Sequence, residues 1–256
     1  MTPLPCTLVF LPGIGADHRM YKFQTKAFPN SYAVDWIDPQ PKETLEQYAV
    51  RLAKHLRTEF EECPPAPIVV CGLSLGGMVA PYVARELDAS GCILFSTVRK
   101  PKEFPRYGYP DWLLMRLCPP LRLVRYYCVR LFIKLFLCFP WDEKRIASLV
   151  IIKGIVQTPP VRFTELARMM FDWAFRRRLP EESNEIIFDR PVLHIHGTND
   201  WLLPMRLTTP DIRIRGAGHT PVLSHPEMIN EMIEQFCEKI FRENSPSAVS
   251  VRQGKQ

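Results

Sequence analysis

The chain has 256 residues, 46% of them hydrophobic and 23% charged, which suits one large α/β domain with an insertion and leaves two independent domains cramped. Its formal charge of +6 comes with no recognised RNA- or DNA-binding module, so nucleic acid is not an expected partner. No internal repeat and no phosphate-cradling Gly-x-x-x-x-Gly-Lys is present.

In chain order, Leu8-Val9-Phe10-Leu11 reads as a strand. It runs into Pro12-Gly13-Ile14-Gly15-Ala16-Asp17-His18-Arg19, where the backbone can turn tightly and expose N–H groups. Asp17 precedes a helical stretch and reads as its N-cap. Residues 32–37 form a second strand pattern, and the amphipathic stretch from Leu45 to Phe60 a helix with His55 on its solvated face.

The apolar run Pro67-Ile68-Val69-Val70-Cys71 then leads directly into Gly72-Leu73-Ser74-Leu75-Gly76-Gly77. A Gly-x-Ser-x-Gly sequence between strand and helix lets a serine occupy a sharp, strained turn, because the flanking glycines leave room for the neighbouring backbone. Leu75, Met78, Val79, Tyr82, Val83 and Leu87 recur at helical spacing after it, with Pro81 removing one hydrogen bond. Residues 92–96 are a fourth strand.

Residues 98–185 form an insertion rich in leucine, arginine and aromatic side chains. Between 98 and 180 it holds 17 Lys and Arg against 6 Asp and Glu. Leu121 to Pro140 is apolar but carries Arg122, Arg125, Arg130 and Lys134, too many charges for a spanning helix. The lopsided charge suggests peripheral contact with an anionic membrane. Trp112, Tyr126, Tyr127, Phe132, Phe136, Trp141, Phe171 and Trp173 are its pocket-or-packing aromatics.

Pro191 to His196 reads as a buried strand, with Asp200 in the loop beyond its C-terminal end. A short strand, Asp211 to Arg215, precedes Gly216-Ala217-Gly218-His219. A serine hydroxyl needs a base and the base an orienting acid, so Ser74, Asp200 and His219 are the candidate nucleophile, acid and base. His194 and His196 alternate with Leu193 and Ile195 and read as structural histidines. His225, before Pro226, is structural too. A last apolar-periodic stretch runs from Met228 to Phe241, and Asn244 to Gln256 has the composition of a disordered tail.

The order Ser, Asp, His on these strand ends resembles the α/β-hydrolase family over residues 6–97 and 186–243. The resemblance implies a core of residues 1–97 and 186–243, with 98–185 as a helical cap. It implies about six mostly parallel strands with helices on both faces, the family's first two strands being absent. It also implies that the Ile14 and Leu75 N–H groups form an oxyanion hole. Gly13 and His18, in and beside that loop, are candidate substrate contacts, a surface histidine at the start of a helix being the other reading of His18.

The activity so implied is cleavage of a small-molecule carboxylic ester with an apolar acyl or alkyl group, through an acyl-enzyme and without metal or organic cofactor. A lyase or acyltransferase on the same triad, or a non-catalytic ligand-binding protein, remains open. Eight cysteines, at 6, 63, 71, 92, 118, 128, 138 and 237, form no Cys-x-x-Cys pair, and with no basic n-region before the first strand a cytoplasmic protein with reduced thiols is expected. Oligomeric state leaves no trace in the sequence.

Overall fold

The computed structural model describes residues 4–60, 67–108, 157–175 and 188–243, together with Leu113, Val124, Tyr127, Cys128 and Gly154. Most of the insertion, including Trp112, Tyr126, Phe132, Phe136, Trp141, the four cations of 121–140 and Cys118 and Cys138, lies outside the described residues. So do Cys63 and the tail from 244.

Apolar runs with no alternation are what a parallel sheet covered on both faces requires, and they become strands here. These are β1 (Thr7–Leu11), β3 (Ile68–Leu73) and β4 (Gly91–Phe95); β5 (Val192–Gly197), with two histidines alternating among apolar residues, joins them, and the three-residue strands β2 (Ser31–Ala33) and β6 (Ile212–Ile214) flank the sheet. All six are parallel, in the order β2-β1-β3-β4-β5-β6. Every residue of β1 and β4 is buried.

β2 is shorter than the expected 32–37. Only Ser31, Tyr32 and Ala33 pair with Leu8, Val9 and Phe10. Beyond them the chain turns off the sheet, and Trp36 sends its indole N–H to the Gly13 carbonyl at 3.1 Å.

Helices α1 (Lys22–Ala27), α2 (Leu45–Glu59), α3 (Leu75–Glu86), α4 (Pro160–Phe175), α5 (Pro221–Ser224) and α6 (Pro226–Glu243) cover the two faces. α2 starts with a reciprocal capping box between Thr44 and Gln47 and buries Leu45, Tyr48, Ala49, Leu52 and Leu56 at helical spacing. Each such leucine contributes about 1.5–3 kcal/mol by leaving water. α2, α3 and α4 pack on one face of the sheet; α6, with Ile229, Ile233 and Ile240, packs on the other.

α4 shows how the end of the insertion joins this core. Its Trp173 donates to the Tyr82 hydroxyl of α3 at 3.1 Å, and Phe171 meets Phe104 edge-on at 5.8 Å. Among the described residues no helix is long and apolar enough to cross a membrane. Cys6, Cys71, Cys92, Cys128 and Cys237 are all free thiols.

Candidate active site

β2 lies on one side of β1 and β3 on the other, so the direction of winding reverses between β1 and β3. In an open parallel sheet that reversal leaves a crevice beyond the carboxyl ends of the strands, where ligands bind. Ser74 and the loop after β1 meet there.

Ser74 has φ 55° and ψ −117°. A side chain in this left-handed region is strained and persists only where its surroundings over-determine it. Three close approaches do so. A Cβ on Gly72 would stand 2.3 Å from the Gly76 carbonyl oxygen, one on Gly76 2.2 Å from the Leu11 carbonyl oxygen, and one on Gly77 2.6 Å from Thr97 Cγ2. Only glycine leaves room for neighbours this close. The Ser74 N–H donates to Phe95 O at 3.0 Å, and its carbonyl accepts from Thr97 Oγ1 at 2.7 Å. The strained residue is thus fastened to the end of β4 from both sides.

The loop after β1 leans on this turn, a Cβ at Gly13 falling 3.5 Å from Ser74 Cβ. Its Gly13 carbonyl accepts from the Ala16 N–H at 3.1 Å as well as from Trp36. Leu75 is the first residue of α3, so its N–H is one that a helix leaves without an internal acceptor. Among the described residues neither the Ile14 nor the Leu75 N–H has a hydrogen-bond acceptor. Gly154, from the insertion, seats on the same loop, where a Cβ would lie 2.5 Å from Gly15 O.

His18 is placed on the outer side of that loop. Its Nδ1 lies 3.0 Å from the Asp35 carboxylate, and both side chains are more than half exposed. Asp17 caps the short helix His18–Tyr21 by accepting from the Arg19 N–H at 3.0 Å. Asp17, His18 and Asp35 are the group among the described residues whose ligating atoms lie close enough to share a cation. Each already has a partner, Asp17 pairing with Arg19 and His18 with Asp35.

Asp200 and His219 come from the other end of the sheet. β6 stands three places from β3, about 14 Å at ordinary strand spacing, so His219 must be carried back toward the crevice. Gly197 allows it: a Cβ there would meet the Ala217 and Gly218 carbonyl oxygens at 2.4 Å, so the histidine loop crosses directly over the end of β5. Asn199 N–H to Ala217 O, at 2.9 Å, holds the crossing.

The result is a hydrogen bond of 2.8 Å between His219 Nδ1 and Asp200 Oδ2. The other carboxylate oxygen, Oδ1, accepts from the Leu202 and Leu203 N–H groups, both at 2.9 Å. Burial alone would raise the Asp200 pKa; the hydrogen bonds from His196 and His219 and the Leu203 N–H outweigh it and hold the carboxyl well below the usual carboxylate range. Among the described residues no hydrogen bond joins Ser74 to His219, a contact that often tightens only with substrate bound.

One neighbour went unread in the sequence. His196 Nε2 lies 3.1 Å from Asp200 Oδ2 and 2.8 Å from Leu203 O. The strand's alternation puts His194 and His196 on one face, but only the fold of the 197–203 loop brings Asp200 back to it. His55 and His225 stand as expected, the first exposed beside Glu59, the second a non-helical cap between α5 and α6.

A model of the alpha/beta hydrolase family matches residues 8–232. The chain belongs to the alpha/beta hydrolase family. A sequence search of curated proteins returns no match. Among solved structures, this hydrolase is similar to MenH from S. aureus, with 20% identity, TM-score 0.67, and 93% of this chain and 96% of that one covered. It is also similar to a thermophilic esterase from Thermogutta terrifontis, with 21% identity, TM-score 0.65, and coverage of 93% and 92%. The esterase RhEst1 from Rhodococcus sp. follows at 18% identity, TM-score 0.61, and coverage of 91% and 90%.

Proposed function

We propose that this protein is a serine hydrolase that cleaves a carboxylic ester of a small molecule bearing an apolar acyl or alkyl group. The observation that carries the reading is the pairing of a strained, glycine-walled Ser74 with an Asp200–His219 hydrogen bond of 2.8 Å at the same end of the sheet. His219 takes the Ser74 proton as Oγ attacks the ester carbonyl, and Asp200 holds the imidazole with its proton on Nδ1. The Ile14 and Leu75 N–H groups donate to the oxyanion, a role in which each such donor is worth about 3–4 kcal/mol. His219 then returns its proton to the departing alcohol, and water, deprotonated by the same histidine, releases the acyl group from Ser74.

Gly13 keeps the approach to Ser74 open, and His18 serves at the outer rim of the loop. The insertion is assigned the apolar walls of the pocket. Membrane contact belongs to the same reading. Trp201, Leu202, Tyr107 and Leu207 are exposed large apolar side chains beside the exposed Arg106 and Arg206, the aromatic-and-basic mixture that suits an anionic interface. Flotation should carry the protein up with vesicles containing anionic lipid and not with neutral ones; equal behaviour with both removes the membrane from the reading.

The decisive experiment is hydrolysis of nitrophenyl esters from acetyl to palmitoyl, with Ser74→Ala run in parallel. Turnover should fall by at least about 10⁴-fold in the variant, with the fold retained by circular dichroism. Equal rates in the two proteins would leave the triad as architecture and shift the assignment to a lyase or a binding protein.

A further inference from the structure

We propose that His196 is a positioning residue for Asp200, the inner end of a buried chain of donors that starts at His194 and fixes the acid in the orientation His219 needs. This rests on the reading of Asp200 and His219 as acid and base.

The proton positions follow from the contacts. His196 Nε2 faces two acceptors, Leu203 O at 2.8 Å and Asp200 Oδ2 at 3.1 Å, so it must carry a hydrogen. In the neutral ring Nδ1 is then an acceptor, and the atom opposite it is His194 Nε2 at 3.3 Å, which must donate. That leaves His194 Nδ1 bare, and it is a buried nitrogen with no hydrogen-bond partner. A protonated His196 would instead put a hydrogen on His194 Nδ1, a nitrogen that forms no hydrogen bond although the Thr97 backbone lies near the ring. The arrangement that gives every ring hydrogen an acceptor is His194 Nε2–H to His196 Nδ1, then His196 Nε2–H shared between Leu203 O and Asp200, with His194 Nδ1 left without a donor.

Both rings are wholly buried and nothing in the triad chemistry consumes them. Burial, with the neighbouring His196 and the Arg99 cation, pushes the His194 pKa down to about 3, so its ring stays neutral where the enzyme works. Arg99 acts on His194 from the strand-β4 side, Asp211 fixes the His194 backbone N–H at 2.7 Å, and Tyr107 neighbours Asp200. Asp200 therefore receives four donors: two backbone N–H groups on Oδ1, and two imidazoles on Oδ2. The two rings approach the same oxygen, so His196 sets the direction from which His219 can bond and withdraws charge from the oxygen that His219 faces.

The test compares His196→Leu, which deletes the donor, with His196→Gln, which retains one. In His196→Leu, kcat on the preferred nitrophenyl ester should fall about ten- to a hundredfold, the size of one hydrogen bond to a charged group, with KM within about twofold. The acid limb of kcat/KM should move to higher pH, because a carboxylate with one donor fewer favours the His219 imidazolium. His196→Gln should recover most of both effects. A well-folded His196→Leu with an unmoved acid limb, or a Gln variant no better than Leu, overturns the proposal.

Should His196→Leu fail to fold, the downfield proton resonance of His219 Nδ1–H serves instead, compared between the unaltered protein and His194→Gln. A shift is expected when the chain is cut at its outer end, and an unchanged resonance overturns the proposal. That readout needs no turnover. Activity surviving in Ser74→Ala sinks the hydrolase reading independently of it.

Discussion

The two halves of the site are built by different physics. Around Ser74 the structure is made by shape: backbone packs so closely on Gly72 and Gly76 that an added Cβ would stand 2.2–2.7 Å from backbone atoms, and the serine is held in a conformation it would not choose. Around Asp200 it is made by charge, with donors from two loops and a strand gathered on one buried carboxylate. A site of the first kind tolerates no added atom. A site of the second tolerates small shifts but depends on protonation.

Steric substitution should therefore break the serine half hardest. Gly76→Ala puts its Cβ 2.2 Å from Leu11 O and 2.5 Å from Pro12 O, both backbone atoms that cannot give way alone. A loss of at least about 3 kcal/mol is expected, seen as a lower urea midpoint. Gly13→Ala is the internal control. Its nearest neighbour is the flexible end of Leu73 at 3.3 Å, so stability should change by less than about 1 kcal/mol. Comparable losses at the two positions would refute the account of the turn.

The charge half should show itself in acid. His194 has its pKa lowered from 6.5 to about 3 in the folded protein, so between those values the unfolded chain binds the extra proton. Stability is then lost as pH falls from 6.5 toward 3, at up to about 1.4 kcal/mol per pH unit from this ring. Asp200, whose carboxyl is held below the usual range, adds acid sensitivity as pH drops further through about 4. Thermal scans of His194→Leu across pH 7 to 4 should show a shallower decline than the unaltered protein. Parallel curves would mean the ring does not carry that linkage.

The same division explains what could be read from the amino-acid sequence. A shape-built turn is written locally, since Gly-x-Ser-x-Gly next to an apolar run specifies strand, elbow and helix within about ten residues; β3, Ser74 and α3 follow from it. The parallel sheet was legible for a similar reason, its buried strands being short apolar runs between turn residues. The end of β2 was not, because it depends on the Trp36 indole reaching Gly13, a contact across 23 residues. The role of His196 was hidden in the same way. Alternation shows that the ring is buried, and nothing local shows that the chain returns four residues later with a carboxylate beneath it. α4 likewise owes its place to Phe104 and Tyr82, partners distant in the chain.

Both outer strands, β2 and β6, are only three residues long, while the strands between them have five or six. Open edges offer unpaired N–H and C=O groups to any passing strand, and templated pairing of that kind is how sheet proteins aggregate. Here the exposed rim of β6 displays Arg213, followed by exposed Arg215, so an incoming strand would find two or three usable groups and a positive charge. Short, charged edges of this kind give the strongly apolar interior strands little with which to recruit copies of themselves.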